Sequence, residues 1–363
     1  MAKKYSSLKS RENTFLSEKH KAAYELCFIL HDIMLQLLAS GEKASVFNIT
    51  IPLKDDADRI ALNETSDIFD WLEKTSRHDD KALLLVTTVL PAVLSDMLHC
   101  IYEALESSRK GKLAITFMLL RKPLQESLFL METIIVDRVE FVEKLSNNPQ
   151  QLYSQKAGGL NIHTKRIQRV IDVVDNLCQF NSEYVSQLRY DKNSEDSFDG
   201  ICNKAMHLFT DSKAIRTEPL NINFIFSDDE SKETQWSYLY SRLPYLLLYT
   251  HRVVEYIFST IITTDPDYLK DMERRISAHI LLWWSFVEPD YADENLWRCV
   301  YETQKWLDKH CQEAGYPSPS QNDLVIMADT GAYPMEPKHK VRQRYSNFNN
   351  AAKECIKKKK TNI

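Results

Sequence analysis

The chain has 363 residues, 44% of them hydrophobic and 27% charged, which is long enough to bury a sizeable core and too apolar for a disordered polymer. Its net charge of −5 excludes a uniformly basic chain. Glycine supplies only 7 residues, about 2% of the chain against an average usage of about 7%; hairpins, phosphate-cradling loops and nucleotide turns need glycine's positive φ or close backbone approach. Sandwiches, barrels and Rossmann-type sheets are therefore disfavoured. The composition predicts an all-α multi-helix bundle with long kinked helices and at most a few short β-strands.

The opening MAKKYSSLKSREN carries no apolar leader, so no secretion signal is expected. A helix over 15–38 follows from Ala23, Leu26, Cys27, Leu30, Ile33, Met34 and Leu37, with Gly41 placed to cap its end. The alternation in VFNITIP (46–52) predicts a short strand. Ser66 or Asp67 opens a short helix, and Asp79 or Asp80 opens a long one reaching Arg109, with Pro91 as a kink. The most apolar helical pattern is 112–145, interrupted by Pro123. At about 100° per residue, Phe117, Leu120, Leu124, Leu128, Met131 and Ile135 form its core face. Arg121, Gln125 and Glu132 line one border of that face, and Glu126 lies further round.

Helices are expected next over 160–188 and 197–209, the second with a core stripe of Phe198, Ile201, Cys202, Ala205, Leu208 and Phe209. NINFIFS (221–227) alternates and is a candidate partner strand for 46–52. An aromatic-rich helix covers 233–262 with Pro244 inside it, Asp265-Pro266 opens a helix reaching 287, and another spans 294–313. These elements make a bundle domain, 1–313. A Pro/Gly-rich connector over 314–337 holds one candidate strand, DLVIMA (323–328). A basic tail over 338–363 carries nine Lys/Arg against one Glu and ends in Lys357, Lys358, Lys359 and Lys360.

The seven cysteines are scattered without a CxxC pair, which points to a reducing, cytoplasmic setting. The apolar runs 83–95, 113–136 and 245–262 are too short to span a bilayer or carry internal charges, so no membrane partner is expected. Phosphate-loop, dinucleotide and nucleophile-elbow motifs are missing. The nearest approach to a helical metal motif is Asp96, His99 and Glu103, with i,i+4 pairs at Cys27/His31 and His251/Glu255; a di-metal site needs two ExxH-type motifs, so neither metal nor cofactor is expected.

Three groups remain as candidates for chemistry. Arg274 and His279 form the one R-x4-H pattern, the arrangement in which an arginine holds a phosphate and a histidine moves a proton. With 17 arginines and 10 histidines in 363 residues, about one R-x(4–6)-H match arises by chance. His207 lies opposite the core stripe of its helix. Arg121 borders an apolar face and needs a partner, with Glu126, Glu132 or a neighbouring carboxylate as candidates.

The stretches ALESSRKGKLAITFMLLRKPLQESLFLMETI and FDGICNKAMHLFTDSKAIRTEPLNINFIF resemble bacterial all-helical proteins related to the HEPN (higher eukaryotes and prokaryotes nucleotide-binding) superfamily. The resemblance rests on Arg121-x4-Glu126 and on the downstream helix ending in His207, about a third of the chain. It implies a helical, commonly dimeric protein of phage or stress defence that acts on or binds RNA, and, if an enzyme, a metal-independent ribonuclease. HEPN ribonucleases usually carry a polar residue after the motif arginine; Arg275 stands there in this chain. The competing expectation is a non-enzymatic helical module that docks a partner protein, or a second copy, through the aromatic-rich 236–258 surface.

Overall fold

The computed structural model describes residues 14–174, 177–207 and 228–361. Its elements follow from caps and apolar spacing that differ in detail from those expected. The first helix, α1, runs Glu18–Lys43, through Gly41 and beyond it. Gly41 is a packing site, not a cap: a Cβ there would sit 3.0 Å from the ring of Phe47. Phe47 in turn meets Phe258 edge-on at 5.8 Å. The segment 46–52 therefore wraps onto the bundle and forms no strand. Short helices α2 (Asp56–Asn63) and α3 (Ile68–Lys74) follow, with Asp55 and Asp67 as caps.

The next helix, α4, spans His78–Arg109 and includes Pro91. Its cap position is Arg77; Asp79 and Asp80 lie in the first turn, where negative charge suits the helix dipole. Gly111, at φ +70°, turns the chain into α5, Leu113–Lys122. Pro123 has no N–H to give Leu119, so the helix widens into a π turn, Pro123–Ser127, before α6, Leu128–Val136. Then come α7 (Arg138–Asn147) and α8 (Leu160–Ile171). The single helix expected over 160–188 is two, because the chain breaks after Ile171 and restarts at Asn181, whose side chain caps α9, Ser182–Tyr190. Ser197 caps α10, Phe198–Met206.

The candidate strand 221–227 lies outside the described residues. The long helix α11 is Asp229–Ser259, capped by Asp228. Asp265 caps α12, Pro266–Trp284, and Asp293 caps α13, Glu294–Glu313. The candidate strand 323–328 is helical: Ser320 and Asp323 form a reciprocal capping box that opens α14, Gln321–Thr330, and Gly331 closes it in the left-handed region. Burial of Leu324, Met327 and Ala328, with Val325 and Ile326 exposed, follows helical spacing and not alternation. The basic tail is α15, Lys338–Thr361. Among the described residues the fold is all-α with no strand.

One continuous core runs through the bundle from Leu16 to Ala328. Helix α11 is its axis. Trp236, Tyr238, Tyr240, Tyr245, Tyr249 and Phe258 are all buried, so the aromatic stretch expected to dock a partner is interior. α1 packs against α11, α4 and α12, and α12 carries α13 and α14. By length and composition α1 and α4 could cross a membrane; 56% and 39% of their most apolar windows are buried in the bundle. Leu98→Ala in α4, at a site 1% exposed, is expected to cost about 2–5 kcal/mol, whereas Leu35→Ala, 45% exposed, should stay within about 1 kcal/mol. Urea unfolding of the two variants checks this, and equal losses would contradict the core assignment.

Candidate functional site

The border stripe Arg121–Gln125–Glu132 faces neighbouring helices. Glu132 is fully buried in the apolar run of α6. Its Oε1 accepts from Arg189 Nη1 at 2.5 Å and from the Tyr249 hydroxyl at 2.8 Å, and Oε2 accepts from Arg166 Nε at 3.2 Å. One carboxylate thus joins α6 to α8, α9 and α11. Burial alone would push this carboxyl up, but the two guanidinium groups with their hydrogen bonds outweigh it and hold it below the usual carboxylate range.

The π turn completes the arrangement. Arg189 Nε donates to the Leu124 carbonyl at 2.6 Å, and the Tyr190 hydroxyl donates to that of Gln125 at 3.2 Å. The Gln125 side chain donates to the Arg189 carbonyl at 3.0 Å and to Asp199 Oδ1 at 2.7 Å. His163 stacks on Tyr190 at 3.8 Å, and its Nδ1 accepts from Arg166 Nη2 at 2.7 Å. Burial, then the charges of Arg166 and Arg189, lower His163 to about 4, so the ring is neutral at neutral pH.

The other candidates fall in separate places. Glu126 does not pair with Arg121; it accepts from the backbone N–H and hydroxyl of Ser154, at 2.9 and 2.6 Å, and fixes the 154–156 turn. Arg121 meets no carboxylate among the described residues. Its Nε donates to Gln125 Oε1 at 3.3 Å and its Nη1 reaches Met206 Sδ at 3.1 Å. Met206 precedes His207, which is exposed at the C-terminal end of α10. Arg121 and the end of that helix therefore share one region of the surface.

Arg274 is elsewhere, 2% exposed on α12. Its Nη2 donates to Asp271 Oδ1 at 2.5 Å, Nε to the Gly331 carbonyl at 3.0 Å and Nη1 to the Tyr333 hydroxyl at 3.0 Å. Arg344 of α15 joins the same group: Nε reaches Asp271 Oδ1 at 2.9 Å, Nη1 reaches Glu336 Oε1 at 2.6 Å and Nη2 reaches the Gly331 carbonyl at 3.1 Å. His310 lies 3.2 Å from Arg274 Nη1, stacked on Trp306 at 4.7 Å. Burial, then Arg274, lower it to about 4. His279, five residues along α12, turns to the backbone of Ala328; burial, then Arg275, lower it to about 4. Arg274 is thus a clamp on the 331–336 turn and the start of α15, and His279 packs against α14.

The side chains of Lys357, Lys358, Lys359 and Lys360 lie outside the described residues. Asp96 pairs with Lys122 at 2.7 Å, and no group of three His, Cys, Asp or Glu among the described residues could hold a metal ion. Arg166, Arg189 and Tyr249 around Glu132, and Asp271, Glu336 and Arg344 around Arg274, were not singled out by sequence. The available signal was Glu132 itself, one charge inside FLMETIIV, which demands a buried partner.

Glu132→Gln leaves Arg166 and Arg189 buried without their counter-charge and is expected to cost about 3–5 kcal/mol in urea unfolding. A loss under about 1 kcal/mol would show that the network contributes little. The histidines set a pH dependence of their own. His163, His279 and His310 titrate at about 4 and His251 at about 3 in the fold, against about 6.5 when unfolded. Between pH 6.5 and 4 the unfolded chain binds more protons, so the stability these rings contribute is complete above about pH 6.5 and is lost as the pH falls through that window. The buried rings of His163 and His251 should account for about 3 and about 5 kcal/mol respectively at the acid limit. Urea midpoints at pH 7.5, 6 and 5 should fall in that order, and a flat profile would contradict the neutral assignments.

Compared with protein families, with curated proteins and with solved structures, the chain matches none.

Proposed function

We propose that the protein binds RNA through the basic helix α15, with the bundle as a rigid platform and without cleaving it. One observation carries this reading: 338–361 is a 24-residue helix bearing nine Lys/Arg and one Glu, anchored to the bundle through Arg344. At about 1.5 Å per residue it is about 36 Å long. Such a helix presents regularly spaced cations to a phosphate backbone and releases that backbone's counterions on binding. The acidic remainder of the chain leaves this as its basic region. Binding is favoured over catalysis because Glu126 and Arg274 are engaged in structural bonds and His279 is neutral and packed.

Fluorescence anisotropy with a single-stranded RNA of about 20 nucleotides tests this. Replacing Lys357, Lys358, Lys359 and Lys360 by Gln should weaken binding and flatten the log–log salt slope by about 3, from about 0.7 per lost phosphate contact. An unchanged affinity and slope would sink the reading. Total RNA should also survive incubation with wild type, His207→Ala and His279→Ala alike; cleavage by wild type that is lost in His207→Ala would establish a nuclease in its place.

A further inference from the structure

Two cysteines meet in the core. Cys178 lies in the turn between α8 and α9, and Cys299 lies on the inward face of α13; both are fully buried. Their thiols are hydrogen-bonded to each other. Thr303, one helical turn beyond Cys299 and on the same face, marks where Cys178 sits. Its hydroxyl lies 3.9 Å from Cys178 Sγ and donates to the Cys299 carbonyl at 2.7 Å. Residues far apart in sequence thus place two sulfurs in contact, across the junction between the approach to α9 and α13.

A buried thiol is ordinarily inert, because the thiolate is the nucleophile and apolar surroundings disfavour it. Cys27 is such a case: it is fully buried, and burial alone acts on its thiol, pushing it up. Burial pushes Cys299 up as well, but there the guanidinium of Arg252 opposes it. Arg252 is itself buried on α11, where Glu255 and Glu273 hold it at 3.1 and 2.5 Å, and its charge acts on both sulfurs. Access comes from the other side. Gln179 is exposed, and its φ of +45° lies in the left-handed region, so the chain turns sharply just after Cys178. Gln179, Phe180 and Asn181 line an open cleft of about 340 Å³. Cys178 is therefore one residue from solvent. Closing two sulfurs from contact to a bond of about 2 Å needs a small shift of one partner. A turn residue gives more readily than one inside a helix.

We infer that Cys178 and Cys299 are a redox-responsive pair, a dithiol that a small hydroperoxide converts to a disulfide tying the turn before α9 to α13. With hydrogen peroxide, the Cys178 sulfur attacks one oxygen as thiolate and the O–O bond breaks. The departing hydroxide takes the thiol's proton and leaves as water, and Cys178 becomes a sulfenic acid. The Cys299 sulfur then attacks that sulfur, the S–S bond forms, and the displaced hydroxyl leaves with the second thiol proton as another water. Two thiols and one peroxide give one disulfide and two waters; the sulfurs lose the two electrons that the peroxide gains. The new bond closes a long loop and so constrains the unfolded chain, which makes the oxidised protein the more stable form. The element it secures is α9, whose Arg189 pairs with Glu132.

The test titrates the full, reduced chain with hydrogen peroxide under native conditions, alkylates the remaining thiols in denaturant and maps the peptides by mass spectrometry without reduction. A linked Cys178–Cys299 peptide that dithiothreitol abolishes is expected in wild type and in Cys100→Ser, and is expected to be missing from Cys178→Ser and Cys299→Ala. The oxidised wild type should unfold at a urea midpoint higher by about 1 M than the reduced protein. Both cysteines recovered as free thiols, separate sulfinic acids at the two positions, or a link that forms only after urea has unfolded the chain would each overturn the inference. An oxidised midpoint at or below the reduced one would overturn the stabilising role. The peptide map is read on wild type, so a variant that fails to fold leaves the test intact.

Discussion

A carboxylate placed inside an apolar helix must be neutralised or the helix cannot be buried, and Glu132 imposes that condition on half of the bundle. Its two oxygens are filled by Arg189, Arg166 and Tyr249, residues 57, 34 and 117 positions away. These partners fix where α8, α9 and α11 must lie around α6. Arg189 then spends its remaining donors on the Leu124 carbonyl and on Tyr190. The π turn at Pro123–Ser127 belongs to the same arrangement, because the widened turn presents two carbonyls to side-chain donors. Taking three charged groups out of water contributes little net stability compared with an apolar core of the same shape. Because the partners of Glu132 come from three other helices, a shift of any of them would leave a buried charge short of a partner.

Asp271 gathers a second charged group, but there burial outweighs its partners and pushes the carboxyl above the usual range, with Oδ2 left without a hydrogen bond. Arg274, from its own helix, and Arg344, from α15, converge on it and on the Gly331 carbonyl. Gly331 is required twice. Its φ of +60° favours glycine, and a Cβ there would sit 2.6 Å from the Asp271 carboxylate. The C-terminal segment is therefore tied down by geometry as well as by charge, and the basic helix begins from a fixed point on the bundle.

The sequence displayed the elements far better than their contacts. Caps at Asp67 and Asp265, the span 294–313 and the core face Phe117–Leu120–Leu124–Leu128–Met131 were all legible, because each depends on neighbours within a turn or two. The failures share a cause. VFNITIP and DLVIMA are short apolar runs whose alternation suits a strand or a helix end equally, and tertiary packing decides. In the second, Ser320 and Asp323 were a helix start in plain view. The long pattern over 160–188 concealed a break because both flanks keep helical spacing and only Asn181 marks the restart. Arg166, Arg189 and Arg344 read like any surface arginines, since nothing local separates a buried ion pair from a solvated one. The aromatics of α11 misled in the opposite sense: a dense aromatic stripe was the core.

The same networks explain why Glu126, Arg274 and His279 do not come together. An arginine bonded to Asp271 is not free to grip a phosphate, and the Glu126 carboxylate is committed to holding the Ser154 turn. Histidines that titrate near 4 are neutral at neutral pH and, in packed surroundings, poorly placed to deliver protons. Burying so many ionisable groups in mutual pairs makes the interior specific and quiet in acid–base chemistry. Outside those networks the basic helix α15 extends from its Arg344 anchor.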